Sequence, residues 1–291
     1  MMDSGVIPSH LLWTSDGHGK KLIMQFCGHA WSQVYERDYF AFLCKHEKTR
    51  KENYMMSPQR SYREELVLWM KEVCRIYDLS LLTLHLAAYI LDSFMDYHDI
   101  PPFRLRFMAS VSLALAAKFE EDGAKIPSYA KIYSVNNPSN PPLPPNCVIF
   151  DVEWKVFKFM DCNLHIPTVV HFAYYFVVVG LLETDFAQRA DLTERELRMA
   201  LRDELQQSLD DMLQDLWSLK LPPSWMVSAS LIYARRHLNI LPDWPYKFQE
   251  LTQLNLETLR PALNLLHKYY SSRRVRGLRN ISPSDSGYLS G

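Results

Sequence analysis

The chain has 291 residues, 48% of them hydrophobic, with a net charge of −1 and a pI of about 6.8. That length suits one large domain or two ordinary ones, and the balance of charge gives no global field drawing the protein onto nucleic acid or an anionic membrane. No apolar run approaches membrane-spanning length, the start lacks a signal peptide's order, and five scattered cysteines without a CxxC argue for a reducing compartment. Residues 1–25 are expected to be poorly ordered. A helix is expected around WSQVYERDYFAFLCKHE (31–47), and another over YREELVLWMKEVCRIYDL (62–79). Leu84, Ala88, Leu91 and Met95 make the apolar stripe of a third. Pro101-Pro102 opens the next, because proline is tolerated in a first helical turn and fixes φ there. This helix ends in SLALAAKFEEDG (112–123), and Gly123 reads as the C′ residue that stops it. Glu120, Glu121 and Asp122 crowd the same end, where unpaired carbonyls disfavour carboxylates. A broken local rule beside a stop signal marks a candidate functional site, against the plainer reading of a solvated acidic end. NPSNPPLPPN (137–146) reads as a loop. VVHFAYYFVVV (169–179) leans to strand by propensity, but its length and helical neighbours predict a buried helix. Pro222-Pro223 opens a later helix, and 273–291 is expected to be poorly ordered. The pattern is all-α.

The two helices opened by Pro-Pro repay comparison. Aligned on Phe107 and Trp225, both read aromatic-Met-x-Ser-x-Ser-Leu; Leu113 then matches Leu231, and Ala116 matches Ala234. Each is followed by a proline and a short aromatic-rich helix, IPSYAKIY in the first and PDWPYKFQEL in the second. This points to duplication of a helical unit of roughly a hundred residues. Ser and Ala on several faces imply that each is a central helix with neighbours all round. The second copy lacks the Lys-Phe-Glu-Glu ending.

The segments at 62–79, LHLAAYILDSFMD (84–96), LALAAKFEE (113–121), a helix containing Glu153 and HIPTVVHF (165–172) resemble, in order and spacing, the cyclin box. Within that family, LAAYILDSFMDYHDI and the stretch at 31–47 are most similar to the cyclin J branch. The resemblance implies an N-terminal extension with one helix at 1–57, a first five-helix cyclin fold at 58–166, a second at 167–272, and a basic, Ser-rich flexible tail at 273–291. It implies a regulatory subunit, itself no enzyme and holding no cofactor, that binds and activates a cyclin-dependent protein kinase in cell-cycle control. Lys118 and Glu153 match the family's paired kinase contacts: an ammonium caps carbonyls of a partner segment and a carboxylate accepts its N–H groups. Leu115, Phe119, Phe157 and Leu164 would line the apolar slot between them, with Glu120 on the same rim. The plainer alternative is that Lys118 merely snorkels from a core helix. Arg63 and Asp92 match a structural ion pair between the first two helices of the box.

Two departures bear on partners. The family's docking patch often reads Met-Arg-Ala-Ile-Leu with a Trp three further on; here Tyr62-Arg63-Glu64-Glu65-Leu66 and Trp69 stand there, with Glu65 at the Ile position. A charge at the centre of an apolar groove disfavours an apolar docking side chain, so substrate recruitment is expected to differ. Cys162 stands where the family usually has a large aromatic.

Rival readings have less behind them. Cys27-x-His29 and Cys44-x-His46 have the composition of a metal site, but i and i+2 on a helix face apart, and no metal is expected. Nine glycines without fixed spacing give no phosphate cradle. Tandem five-helix units also resemble transcription factors of the TFIIB type, which need a basic face; the basic residues here cluster only at 273–279. No nucleic-acid or membrane partner is expected. SSRRVRGLRN (271–280) is a weak nuclear-import match, giving an expected location in nucleus and cytoplasm. Asp285, Ser286, Gly287 and Ser290 have the spacing of a phosphodegron read by an F-box subunit of a ubiquitin ligase; two phosphoserines would supply its negative charge.

Overall fold

The computed structural model describes residues 33–136, 142–214 and 216–279, and every regular element among them is helical. The first unit is α2 (Arg63–Tyr77), α3 (Leu81–Tyr97), α4 (Pro102–Glu120), α5 (Tyr129–Ser134) and α6 (Asn146–Phe159), preceded by α1 (Gln33–Glu47). The second is α7 (Val169–Val179), a short α8 (Glu183–Gln188), α9 (Glu194–Gln214), α10 (Pro223–His237), α11 (Tyr246–Thr252) and α12 (Leu256–Arg279).

Helix α4 packs against α2, α3, α5 and α6, and α10 packs against α7, α9 and α12. Small residues make this possible: Ala109, Ala116 and Ala117 on α4, and Ala229 on α10, have no solvent exposure. One serine of each shared motif bonds its own backbone, while the hydroxyls of Ser112 and Ser228 are buried without a hydrogen-bond partner among the described residues. Ser110 Oγ donates to the Arg106 carbonyl at 2.9 Å and Ser230 Oγ to the Met226 carbonyl at 3.0 Å. A hydroxyl bonded four residues back can be buried without leaving a polar group unpaired. Both helices begin with Pro at a first-turn position, Pro102 and Pro223, as their Pro-Pro starts predict. VVHFAYYFVVV forms α7, buried along most of its length. Thr168 caps it: its N–H donates to His171 Nδ1 at 3.1 Å, which needs a neutral ring, and burial holds the His171 pKa down at about 4.

Gly123 does not stop α4. The helix ends at Glu120, Glu121 is already extended (φ −103°, ψ 158°), and Gly123 starts a short 3-10 turn over Gly123–Lys125 with no positive φ. The Glu121 side chain sets this ending. Its carboxylate accepts the Ser80 N–H and the Thr83 hydroxyl, each at 2.6 Å, at the N-terminus of α3.

The helix at 33–47 is no appendage. It packs on α7 and α11, and its Phe40 and Leu43 lie in the core of the second unit. Glu47 accepts from the Ser224 N–H at 3.0 Å and the Ser224 hydroxyl at 2.6 Å, so α1 also caps α10. At the other end α12 runs on through Arg279, past the boundary drawn at 272. The units also meet through α2 with α9 and α3 with α7.

Candidate partner-binding site

The last turn of α4 and one face of α6 enclose a groove of about 350 Å³. Leu115, Lys118 and Phe119 come from α4; Phe150, Glu153, Trp154 and Phe157 come from α6; Leu164 closes one end. The α6 residues follow i, i+3, i+4, i+7, which puts them on one helical face. Six of the residues that the sequence assigns to kinase binding thus line one groove. The seventh, Glu120, is not among its lining residues. It is partly buried, and burial together with the neighbouring Glu121 carboxylate raises its pKa to about 7. Phe150 and Trp154 were missed, although the helical spacing from Glu153 and Phe157 points to them.

Across the groove mouth, Lys118 Nζ donates to Glu153 Oε1. The lysine side chain is 44% exposed and the carboxylate 12%. The ammonium also sits 5.4 Å from the centre of the Tyr129 ring. An ion pair this open contributes only about 0–1 kcal/mol, so exchanging it for a partner's carbonyls and N–H groups costs little. Leu115 and Leu164 are buried walls, whereas Phe119, Phe150 and Trp154 are 45%, 58% and 51% exposed. Three half-exposed aromatics around one pair of charges are the kind of surface that soluble proteins keep for a partner.

The other sequence-assigned residues lie elsewhere. Arg63 grips Asp92 with two hydrogen bonds, Nε to Oδ1 at 2.7 Å and Nη2 to Oδ2 at 2.8 Å. Its Nη1 continues to the Leu213 and Gln214 carbonyls at 3.0 and 3.2 Å, capping the end of α9. On α2, Tyr62 and Glu65 are exposed while Leu66 and Trp69 are buried. The Trp69 indole donates to the Val135 carbonyl at 2.9 Å, and the Arg106 guanidinium lies 5.0 Å from its ring centre. Cys162 is exposed in a left-handed turn (φ 55°) and does not line the groove.

Cys44 and His46 both lie on α1; burial raises the Cys44 thiol to about 12, and His46 stacks edge-on with His165 at 5.0 Å. Among the described residues no three His, Cys, Asp or Glu side chains are grouped to hold a metal ion, and no helix is long and apolar enough to cross a membrane. Cys27 and His29, the import-like end of 271–280 at position 280, and the degron-like Asp285, Ser286, Gly287 and Ser290 lie outside the described residues.

The family model for the cyclin N-terminal domain matches residues 38–165, and that for the cyclin C-terminal domain matches 167–284. Cyclin-J of Xenopus laevis is 28% identical over 218 residues, covering 72% of this chain and 55% of its own length. Cyclin-J of Homo sapiens is likewise 28% identical, covering 72% of this chain and 54% of its own length. The G2/mitotic-specific cyclin-A of Drosophila melanogaster is 25% identical, covering 83% and 46%. The chain therefore spans about half the length of the curated relatives it matches. A solved viral cyclin from herpesvirus saimiri has the same fold, with a TM-score of 0.57 at 14% identity over 80% of this chain and 96% of that one. Two family models that meet between residues 165 and 167 and together run from 38 to 284 place the chain in the cyclin family.

Proposed function

We propose that this cyclin-family chain is the regulatory subunit of a cyclin-dependent protein kinase, which it binds through the α4–α6 groove and activates. The observation that carries this is the Lys118–Glu153 pair set among the exposed rings of Phe119, Phe150 and Trp154. The groove offers a cation for carbonyls, a carboxylate for N–H groups and an apolar bed between them, which suits a segment ending or starting a partner helix. Holding such a segment fixed orders the partner's own Lys–Glu pair and metal-binding Asp. Work in the nucleus as well as the cytoplasm, and turnover through an F-box subunit reading a phosphorylated tail, belong to the same proposal; both rest on sequence motifs alone.

The test is an exchange of charge, Lys118→Glu with Glu153→Lys. The swapped pair still neutralises itself within the chain, so the fold is kept while the polarity shown to a partner is reversed. Co-purification of kinase should drop to background. Kinase recovered at the wild-type level would put the interface elsewhere. A transcription factor of the TFIIB type would instead shift duplex DNA in a gel, and the same preparation serves for that measurement.

A further inference from the structure

Between α1 and α2, residues 51–59 lie as a strap along the end of α3, and carboxylates hold it there. Asp96 accepts three of its N–H groups, from Tyr54 at 2.5 Å, Met56 at 2.7 Å and Ser57 at 3.1 Å. Among them Met55 sits in the left-handed region (φ 57°), where a residue other than glycine is uncommon. The Gln59 side-chain amide donates to Asp99 at 2.7 Å. The strap is thinly packed: Tyr54 is 60% exposed and Met56 76%. Residues 54–57 are thus held by hydrogen bonds to one carboxylate more than by burial.

Ser57 lies where this hold is most open to change. Among the described residues its hydroxyl bonds only within the strap, donating to Gln59 Oε1 at 3.0 Å and accepting the Gln59 N–H at 3.2 Å. Pro58 follows it, and Arg60 stands three residues on, both exposed. Proline has no N–H and a fixed φ, so a kinase cleft without an acceptor at that point takes it where other residues would leave a donor unpaired. The arginine offers its charge to acidic groups beside such a cleft. The chain has two Ser-Pro pairs, and only Ser57 carries a base at this spacing, since Asp285 stands three after Ser282.

We propose that Ser57 is a phosphorylation site for a proline-directed protein kinase, and that its phosphate lifts the strap off α3. In the transfer, Ser57 Oγ attacks the γ-phosphorus of ATP, the bond to the bridging oxygen of the departing ADP breaks, and the hydroxyl proton passes to the kinase's catalytic base. The product brings nearly two negative charges to a residue whose own N–H is bonded to Asp96 and whose hydroxyl partner, Gln59, is bonded to Asp99. Arg60 is the one basic residue between positions 53 and 62, a single positive charge set against two carboxylates. Repulsion therefore disfavours the seated strap, and a dianionic phosphate has no proton to give Gln59 Oε1. Lifting it also takes the Tyr54 ring from Tyr97, whose ring centre is 5.9 Å away. The proposal holds whatever the α4–α6 groove binds.

The test incubates the full-length chain with ATP and a purified cyclin-dependent kinase already activated by another cyclin, and maps phosphate by mass spectrometry. Phosphate should appear on Ser57. Arg60→Ala should slow its incorporation at least roughly fivefold, and Arg60→Lys should restore the rate. Arg60 is exposed, so neither substitution disturbs the core. In the phosphorylated chain, hydrogen-exchange protection of the Tyr54, Met56 and Ser57 amides should fall at least roughly tenfold, while that of the α3 amides stays as it was. No phosphate on Ser57, or incorporation there at a rate indifferent to Arg60, would overturn the site. Unchanged protection would overturn the release, and increased protection would do so by showing that Arg60 clamps the phosphate onto the turn. Because the kinase arrives already activated, none of these outcomes turns on whether this chain activates a kinase itself.

Discussion

Glu121 reaches from the end of α4 to the Ser80 N–H, 2.6 Å away, and so closes the first turn of α3 with a carboxylate. Ser80 is itself the N-cap of α3, its hydroxyl accepting from the Thr83 N–H at 3.2 Å. A negative charge that is unfavourable at the end of its own helix becomes favourable at the start of the next, where N–H groups point outward. Glu121→Ala should therefore cost about 1–3 kcal/mol in urea unfolding, because it strips a buried N–H and a buried hydroxyl of their acceptor. A loss no larger than that of an exposed-site control would show that the cap contributes nothing.

The adjacent Glu120 has the opposite expectation. Its pKa is raised from 4.5 to about 7 by burial and by the Glu121 charge. Between those two values the folded chain holds a proton that the unfolded chain has released. Stability is then greatest below about pH 4.5, falls as pH rises toward 7, and levels off above it. Partial solvent contact limits the effect to about 1–2 kcal/mol. Glu120→Gln should flatten the slope of unfolding free energy over that window. An unchanged slope would mean that some other group titrates there.

Arg63 ties the first unit to the second, joining Asp92 on α3 to the carbonyls that end α9. Replacing either member of a buried pair leaves its partner's charge unpaired, so Arg63→Met and Asp92→Asn should each cost about 3–5 kcal/mol. The two differ in reach. Asp92→Asn leaves the contacts with Leu213 and Gln214, whereas Arg63→Met removes them too. Hydrogen exchange at the end of α9 should rise in the arginine variant and stay near wild type in the asparagine variant. Equal rises in both would assign the coupling to the first unit's packing as a whole.

The helix at 33–47 gives the second unit part of its core. Phe40 is 1% exposed, and its ring meets Phe172, Tyr175 and Phe176 with centres 5.2 to 5.9 Å apart. Phe40→Ala should cost about 3–5 kcal/mol, by lost burial and the cavity left behind. A truncation removing residues 1–47 should also take away the Glu47 cap on Ser224 and lower the melting temperature further. A truncated chain that melts with the full one would show that α1 contributes nothing to stability.

Much of this was legible in the sequence, for stated reasons. The Pro-Pro starts fix where α4 and α10 begin, and their shared Ser and Ala positions mark them as central, because only small residues admit neighbours on every side. The face of α6 that carries Glu153 was half legible: Phe157 was named, while Phe150 and Trp154 follow from it by helical spacing alone. What the sequence hides is reach. Nothing local to Glu121 shows that it serves α3, since Ser80 lies far away along the chain. Nothing in QVYERDYFAFLCKHE shows that its Phe40 packs on α7 instead of on the neighbouring first unit. Gly123 misled because glycine often ends helices in the left-handed region, whereas here a distant hydrogen bond turned the chain two residues earlier.

The stretch of α2 that matches the family's docking patch yields the last expectation. Trp69, the apolar wall of such a patch in the family, is only 5% exposed, its indole N–H is held by Val135, and Arg106 lies over its ring. Glu65 stands exposed on the same helical face, one turn before Trp69, and its charge acts on Arg106. Burial lowers the Arg106 pKa, and the Glu65 charge works against that shift. An apolar side chain docking there would have to strip water from Glu65 without pairing it. A peptide with the Arg-x-Leu docking motif should therefore bind the wild type only weakly, with a Kd above roughly 100 µM by calorimetry. Glu65→Ile should improve that affinity at least about fivefold, or about 1 kcal/mol, and should leave binding at the α4–α6 groove unchanged. Micromolar binding by the wild type would sink the argument, and so would a Glu65→Ile chain that gains nothing.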